Sequence, residues 1–278
     1  MRLPVHNTIA DMRAQVAAWK ADGLRVGLVP TMGALHAGHL SLVAEIAARC
    51  DRIITSIFVN PAQFAAHEDL STYPRDEAAD LEALETTKTN CVFTPSAEEM
   101  YPSGFTPDVL LQGPALGLES DNRPHFFGGV ALVVGKLLTH SQTDMAIFGE
   151  KDYQQLLVIR HMVRDLDLPV KILSAPIIRE TDGLAMSSRN VYLSDEQRPI
   201  AGKLNQILET LADSPAPPAQ AEAQACEALL AGGFTSVDYA TIRDADTLAV
   251  PDETTKERRA LIAARLGSVR LLDNMAAR

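Results

Sequence analysis

Up to about residue 176 the chain alternates between short, β-branched apolar runs and longer stretches whose apolar residues recur at helical spacing. The runs are RVGLVP (25–30), RIITSIFV (52–59), CVFTP (91–95), MAIFG (145–149) and PVKILSAP (169–176). Helical patterning begins near His39 and returns in DEAADLEALETT (76–87), GVALVVGKLLTH (129–140) and YQQLLVIRHMVRDL (153–166). Such alternation predicts a parallel, doubly wound sheet, and strands with few polar positions suit burial on both faces.

Beyond Pro176 the texture changes. RETDGLAMSSRN (179–190) is polar, a helix is expected after Ser194, SPAPPAQ (214–220) reads as a Pro-rich linker, and VDYATI (237–242) and LIAARL (261–266) read as strands. The expected organisation is an α/β domain over residues 1–176 and a smaller α+β domain over 177–278, with the boundary resting on texture alone.

Composition narrows the partners. A net charge of −11, with no block of Lys and Arg, lacks the electrostatic footprint of a nucleic-acid binder. No apolar run approaches the ~18 residues of a membrane span, and MRLPVHNTIADM lacks the ~7 to 15 apolar residues of a secretory h-region. Cys50, Cys91 and Cys226 are widely spaced and form no C-x-x-C pair, so they read as reduced thiols. A cytoplasmic protein acting on small molecules is expected.

The chemistry concentrates in VPTMGALHAGHLSLV (29–43). Strand 25–30 is expected at the sheet centre, and open α/β sheets bind ligands beyond the carboxyl ends of their strands. Pro30 helps to end the strand, Gly33 permits positive φ, and Gly38 leaves room for a ligand at the helix start. Outward-facing backbone N–H groups there would welcome a phosphate. The glycine spacing is that of a Walker A loop, but His39 and Leu40 replace its Lys and Ser or Thr. Two imidazoles at i and i+3 suit hydrogen bonding to an α-phosphate under attack, which points to nucleotidyl transfer. A helix-start pair with a purely structural role, or a metal site lacking the Glu of H-E-x-x-H, are the competing readings. Gly149, Glu150, Lys151 and Asp152 close another strand on the same side of the sheet: Gly149 for close approach, Lys151 for phosphate, Asp152 for ribose or as a helix cap.

PTMGALHAGH (30–39), SIFVNPAQF (56–64), YPR (73–75), FGEKDYQQL (148–156) and DGLAMSSRN (182–190) together resemble the pantothenate synthetase (pantoate–β-alanine ligase) family of the HIGH-type nucleotidyltransferase superfamily. The resemblance covers nearly the whole chain. It implies a Rossmann-like N-terminal domain with a small C-terminal lid, a cytoplasmic homodimer, and ATP-dependent ligation of pantoate to β-alanine with Mg²⁺. Pantoyl adenylate would be the intermediate, and pyrophosphate and AMP the products. It further implies an ATP site of Met32, Gly33, Ala34, Leu35, His36, Ala37, Gly38 and His39, with His39 as proton donor and His36 assisting. Gly149 to Asp152, Ile178 against adenine, and Met186, Ser187, Ser188 and Arg189 complete that site. Gln63 and Gln155 would bind pantoate, Gln63 lying near β-alanine as well. Lys151, Ser187, Ser188 and Arg189 would offset charge on the leaving pyrophosphate.

Two positions depart from the family pattern: Phe126 stands where histidine is usual, with His125 one place early, and Ala62 where methionine is common, which would widen the pantoate pocket. No magnesium ligand set is evident. Another adenylate-forming transferase, or a protein that binds ATP without turnover, remain alternatives at this stage.

Overall fold

The computed structural model describes residues 3–65, 68 and 70–278. In its first part the chain runs β1 (Val5–His6), α1 (Ile9–Ala21), β2 (Val26–Thr31), α2 (Ala37–Ile46), β3 (Arg52–Ile57), α3 (Glu77–Glu85), β4 (Cys91–Phe93), α4 (Ala97–Met100), α5 (Glu119–Asn122), α6 (Phe126–Ser141), β5 (Met145–Gly149), α7 (Tyr153–Asp165) and β6 (Lys171–Ala175). There follow α8 (Gln197–Ala212), α9 (Pro218–Gly232), β7 (Ser236–Asp244), β8 (Arg258–Leu266) and β9 (Val269–Ala277).

The first six strands form one all-parallel sheet in the order β1-β4-β3-β2-β5-β6. β2 is central, as its apolar sequence requires: Val26, Leu28 and Val29 are fully buried. Leu28 faces a core with Met12, Phe93, Phe127 and Leu156, and Val29 faces the opposite one with Val43, Ile46, Ile53 and Leu84. That alternation is the period-two pleat of a strand covered on both sides. Strand order reverses at β2, which pairs with β3 on one side and β5 on the other, so a crevice opens beyond their carboxyl ends.

The remaining strands make a separate antiparallel sheet, β7-β8-β9, covered by α8 and α9 around Leu204, Leu208, Leu229, Ile242 and Ile262. A small apolar cluster of Leu118, Leu157, Leu248 and Leu261 ties the two parts together, helped by Tyr153, whose hydroxyl donates to Ala245 O at 2.9 Å.

Several elements differ from the sequence expectation. SPAPPAQ is not simply a linker: Pro218 occupies the first turn of α9, where the missing N–H costs no hydrogen bond and the fixed φ suits the helix. Helix α9 then closes on Gly233 at φ +108°. Elements β1, α1 and β9 lie where no element was expected, and α2 begins at Ala37, two residues before His39.

One close approach positions the site. The start of α6 lies so near the 3-10 turn Pro61–Gln63 that a Cβ on Gly129 would sit 2.2 Å from Ala62 O. Replacing Gly129 by Ala is therefore expected to destabilise the fold by about 1–3 kcal/mol or more through overpacking, measurable as a lower midpoint in urea. An unchanged midpoint would mean that the turn can retreat without cost.

Candidate active site

The loop between β2 and α2 carries the histidines, and its backbone is held from inside the protein. Gly33 has φ +82° and Ala34 φ +50°, both left-handed. Asp80 on α3 accepts from Ala34 N–H at 3.0 Å through one oxygen and from Leu35 N–H at 2.7 Å through the other, while Gly33 N–H donates to Thr31 Oγ1 at 3.3 Å. These amides do not face outward for a phosphate, because the Asp80 carboxylate and the Thr31 hydroxyl already occupy them. Accordingly Gly33, Ala34, Leu35 and Ala37 do not line the cleft, whereas Met32, His36, Gly38 and His39 do.

His36 is the N-cap of α2. Its Nδ1 accepts from Gly38 N–H at 3.2 Å, and its own N–H donates to His39 Nδ1 at 3.4 Å. This reciprocal arrangement is a capping box built from two imidazoles. Because each Nδ1 accepts, each ring carries its proton on Nε2, and the rings lie 4.1 Å apart. Burial, then Lys151, lowers the pKa of His36 to about 4; burial, then His36, lowers that of His39 to about 3. Both are neutral rings, each offering a single N–H. A Cβ at position 38 would lie 2.9 Å from the His36 ring, so this glycine makes room for the cap.

Across the crevice, Gly149, Lys151 and Asp152 line the cleft but Glu150 does not; it turns back to Ser174 Oγ at 3.1 Å and to Arg259 at 3.4 Å. The Lys151 turn is clamped from the smaller sheet. Asn274 on β9, 2% exposed, donates through Nδ2 to Glu150 O at 2.9 Å and to Lys151 O at 2.8 Å, and its Oδ1 accepts from Arg259 at 2.7 Å.

Gln63 is 8% exposed, and a buried relay sets its orientation. The Tyr101 hydroxyl donates to Asn60 Oδ1 at 2.7 Å, and Asn60 Nδ2 donates to Gln63 Oε1 and to Gly129 O, each at 3.1 Å. The amide nitrogen of Gln63 is thereby turned towards Met32 and the cleft, with Sδ at 3.0 Å. Gln155 also lines the cleft. Its neighbour Gln154 is structural: it bridges Pro114 O, Gly117 O and Glu119 N–H.

Ile178, Met186, Ser187, Ser188 and Arg189 complete the wall; Ser188 Oγ lies 3.0 Å from the Tyr73 hydroxyl. The cavity measures about 960 Å³ and continues into an apolar chamber of Phe58, Phe127, Val130, Val134 and Phe148. Sequence reasoning missed Asn60, Asp80, Tyr101 and Asn274. Only Asn60, inside VNPAQF, carried a local signal.

The family profile described as Pantoate-beta-alanine ligase matches residues 4–276. The chain belongs to the pantoate–β-alanine ligase family. It is 51% identical over 280 residues to the pantothenate synthetase of Maricaulis maris (strain MCS10), covering 99% of this chain and 97% of that one. The crystal structure of pantothenate synthetase from Thermus thermophilus superposes with a TM-score of 0.90 at 41% identity, covering 98% of this chain and 99% of that one. That of pantoate-beta-alanine ligase from Francisella tularensis, complexed with beta-gamma ATP and beta-alanine, has a TM-score of 0.85 at 31% identity, covering 99% and 97%.

As a member of the pantoate–β-alanine ligase family, the chain is an enzyme that joins an acid to an amino acid. Its two departures from the family pattern now have positions. Phe126 is buried, lines the cleft and lies 3.9 Å beneath the Arg123 guanidinium, while His125 is exposed outside it. Ala62 is not among the residues that line the cavity.

The depressed histidines give the ligase a defined acid response. Unfolded, both rings protonate near pH 6.5; folded, they stay neutral down to about 4 and 3. The unfolded chain therefore binds more protons in that window, and stability falls as pH drops from 6.5 until both folded rings are protonated. Urea titrations at about pH 7.5 and about pH 5 should show this loss in the wild type and a smaller one in His39→Gln. Equal losses would show that His39 is not held neutral.

Proposed function

We propose that this ligase activates pantoate as pantoyl adenylate and then passes the acyl group to β-alanine. A pantoate carboxylate oxygen attacks the α-phosphorus of ATP, and the bond to pyrophosphate breaks. The β-alanine amine then attacks the acyl carbon, AMP departs, and the nitrogen loses a proton as the amide forms. The observation that carries this reading is the pair of neutral imidazoles at the strand-order reversal, opposite Lys151.

Each residue has a part. His39 and His36 donate through Nε2 to oxygens of the α-phosphate as charge builds there, a contribution typically worth ~3 kcal/mol per donor. Lys151 and Arg189, with the hydroxyls of Ser187 and Ser188, offset charge on pyrophosphate. Met32, Gly38, Gly149, Asp152, Ile178 and Met186 border the nucleotide, with Ile178 against adenine. Gln63 and Gln155 orient pantoate, the turned amide of Gln63 donating to it. The apolar chamber suits the two methyl groups of pantoate, and burial there keeps water from the adenylate. A neutral amide orients the carboxylate without the tight ion pair that would blunt its attack.

Mg²⁺ enters with ATP in this reading. No group of three or more His, Cys, Asp or Glu converges among the described residues, which suits an ion held by phosphate oxygens and water. Residues 1–176 would carry nucleotide and pantoate, and residues 177–278 would close over them.

We further assign the ligase to the cytoplasm, in keeping with its three free cysteines, and to a homodimer, for which Leu110 and Leu116, 89% and 56% exposed, offer apolar area. Among the described residues no helix is long and apolar enough to cross a membrane. Sedimentation should give twice the mass of the chain and cell fractionation should place it in the cytoplasm; a single-chain mass or a periplasmic location would refute the corresponding assignment.

Incubation with ATP and pantoate should release pyrophosphate before β-alanine is added, and AMP with the amide afterwards. His39→Ala should slow pyrophosphate release by about 10²–10³-fold. Release with another acid but not pantoate would replace this reading with a different adenylate-forming transferase. Bound ATP with no product would mean a nucleotide-binding protein without turnover.

A further inference from the structure

We propose that Asp80 is a positioning residue for the two imidazoles, serving as a built-in anion for the loop that enters α2. The inference rests on the activity proposed above for the same site and adds to it the means by which the rings are seated before any nucleotide arrives.

The loop that glycine spacing likens to a phosphate cradle already holds an anion of its own. Asp80 is 4% exposed, and its two oxygens accept separately from adjacent N–H groups, Ala34 at 3.0 Å and Leu35 at 2.7 Å. Such charge-assisted pairs are the strong class of hydrogen bond, and a buried carboxylate is costly without them. The fit is close: a Cβ on Gly33 would lie 2.8 Å from Asp80 Oδ2. Ala34 sits at φ +50°, a region that residues other than glycine rarely occupy without an external hold.

Everything that orients the imidazoles follows directly in the chain. Leu35 precedes His36, whose N–H donates to His39 Nδ1 and whose Nδ1 accepts from Gly38. If the peptides at 34 and 35 relax, the His36 N–H moves, the reciprocal cap opens, and neither ring keeps its Nδ1 committed as an acceptor. Each ring can then exchange tautomers, and the Nε2 donors lose their common direction. Asp80 belongs to α3 and is not among the cleft-lining residues, so it acts through the loop and not on substrate.

The test combines a spectroscopic readout in the ligand-free protein with turnover. In wild type, ¹⁵N shifts of His36 and His39 should report the Nε2–H tautomer for both rings. In Asp80→Asn, one oxygen becomes an NH₂ group that faces an N–H, and the rings should show mixed tautomers. The rate of pyrophosphate release should fall about 10- to 100-fold with the ATP KM within about 2-fold. Asp80→Glu, which keeps a carboxylate on α3, should recover part of both signals and carries the test if Asp80→Asn does not fold. A folded Asp80→Asn protein with wild-type histidine spectra and wild-type turnover overturns the inference, as does one that loses only thermal stability. If wild type releases no pyrophosphate from ATP and pantoate, the proposed activity fails, while the histidine spectra still decide the role of Asp80.

Discussion

A parallel sheet whose strand order reverses must leave its loops diverging on either side of the reversal, and here that happens between β2 and β5. The histidine loop and the lysine turn are both placed by this one constraint. The loop after β2 brings His36 and His39, the turn after β5 brings Lys151, and both open on one crevice. The apolar strands beneath are buried on both faces, so the two loops sit on a base that cannot shift without breaking the core. Site precision is inherited from sheet packing.

Within the crevice, polar groups are arranged so that few are left to choose their own orientation. Each imidazole accepts from a backbone N–H at the start of α2, Gln63 is turned by Asn60, and Asn60 is turned by Tyr101. In each case an inner partner uses up one end of a side chain and leaves the other facing the cavity, which is preorganisation built from hydrogen bonds rather than from charge. Lys151 and Arg189 place positive charge on the cleft wall of a chain whose net charge is −11, so any attraction for an anion there is local to the cleft and not a property of the whole surface.

What could be read from the sequence follows from how local each signal is. The β2–β6 strands, the crossover helices and the histidine pair all announce themselves within a dozen residues, through periodicity or spacing. Asp80 lies within DEAADLEALETT, where nothing separates it from the other acids of an amphipathic helix; only its meeting with Ala34 and Leu35 does so. β9 escaped because buried Asp273 and Asn274, each 2% exposed, interrupt its apolar pattern, and they are buried because Arg179 and the Lys151 turn bind them. SPAPPAQ misled in the opposite sense, since a proline that breaks one helix is also a favoured start for the next. The free-amide reading of the histidine loop failed for the same reason as Asp80 was missed: the partner is distant in sequence.

The amide of Asn274 has a bearing on how this chain can be taken apart. The backbone carbonyls on either side of the cleft cation's attachment point are held by a strand from the other half of the molecule. The C-terminal part thus supplies scaffolding to the floor of the cleft. A hybrid that joins this parallel sheet to a foreign C-terminal half would need an equivalent amide at the same strand register, or its lysine would sit on an unbraced turn.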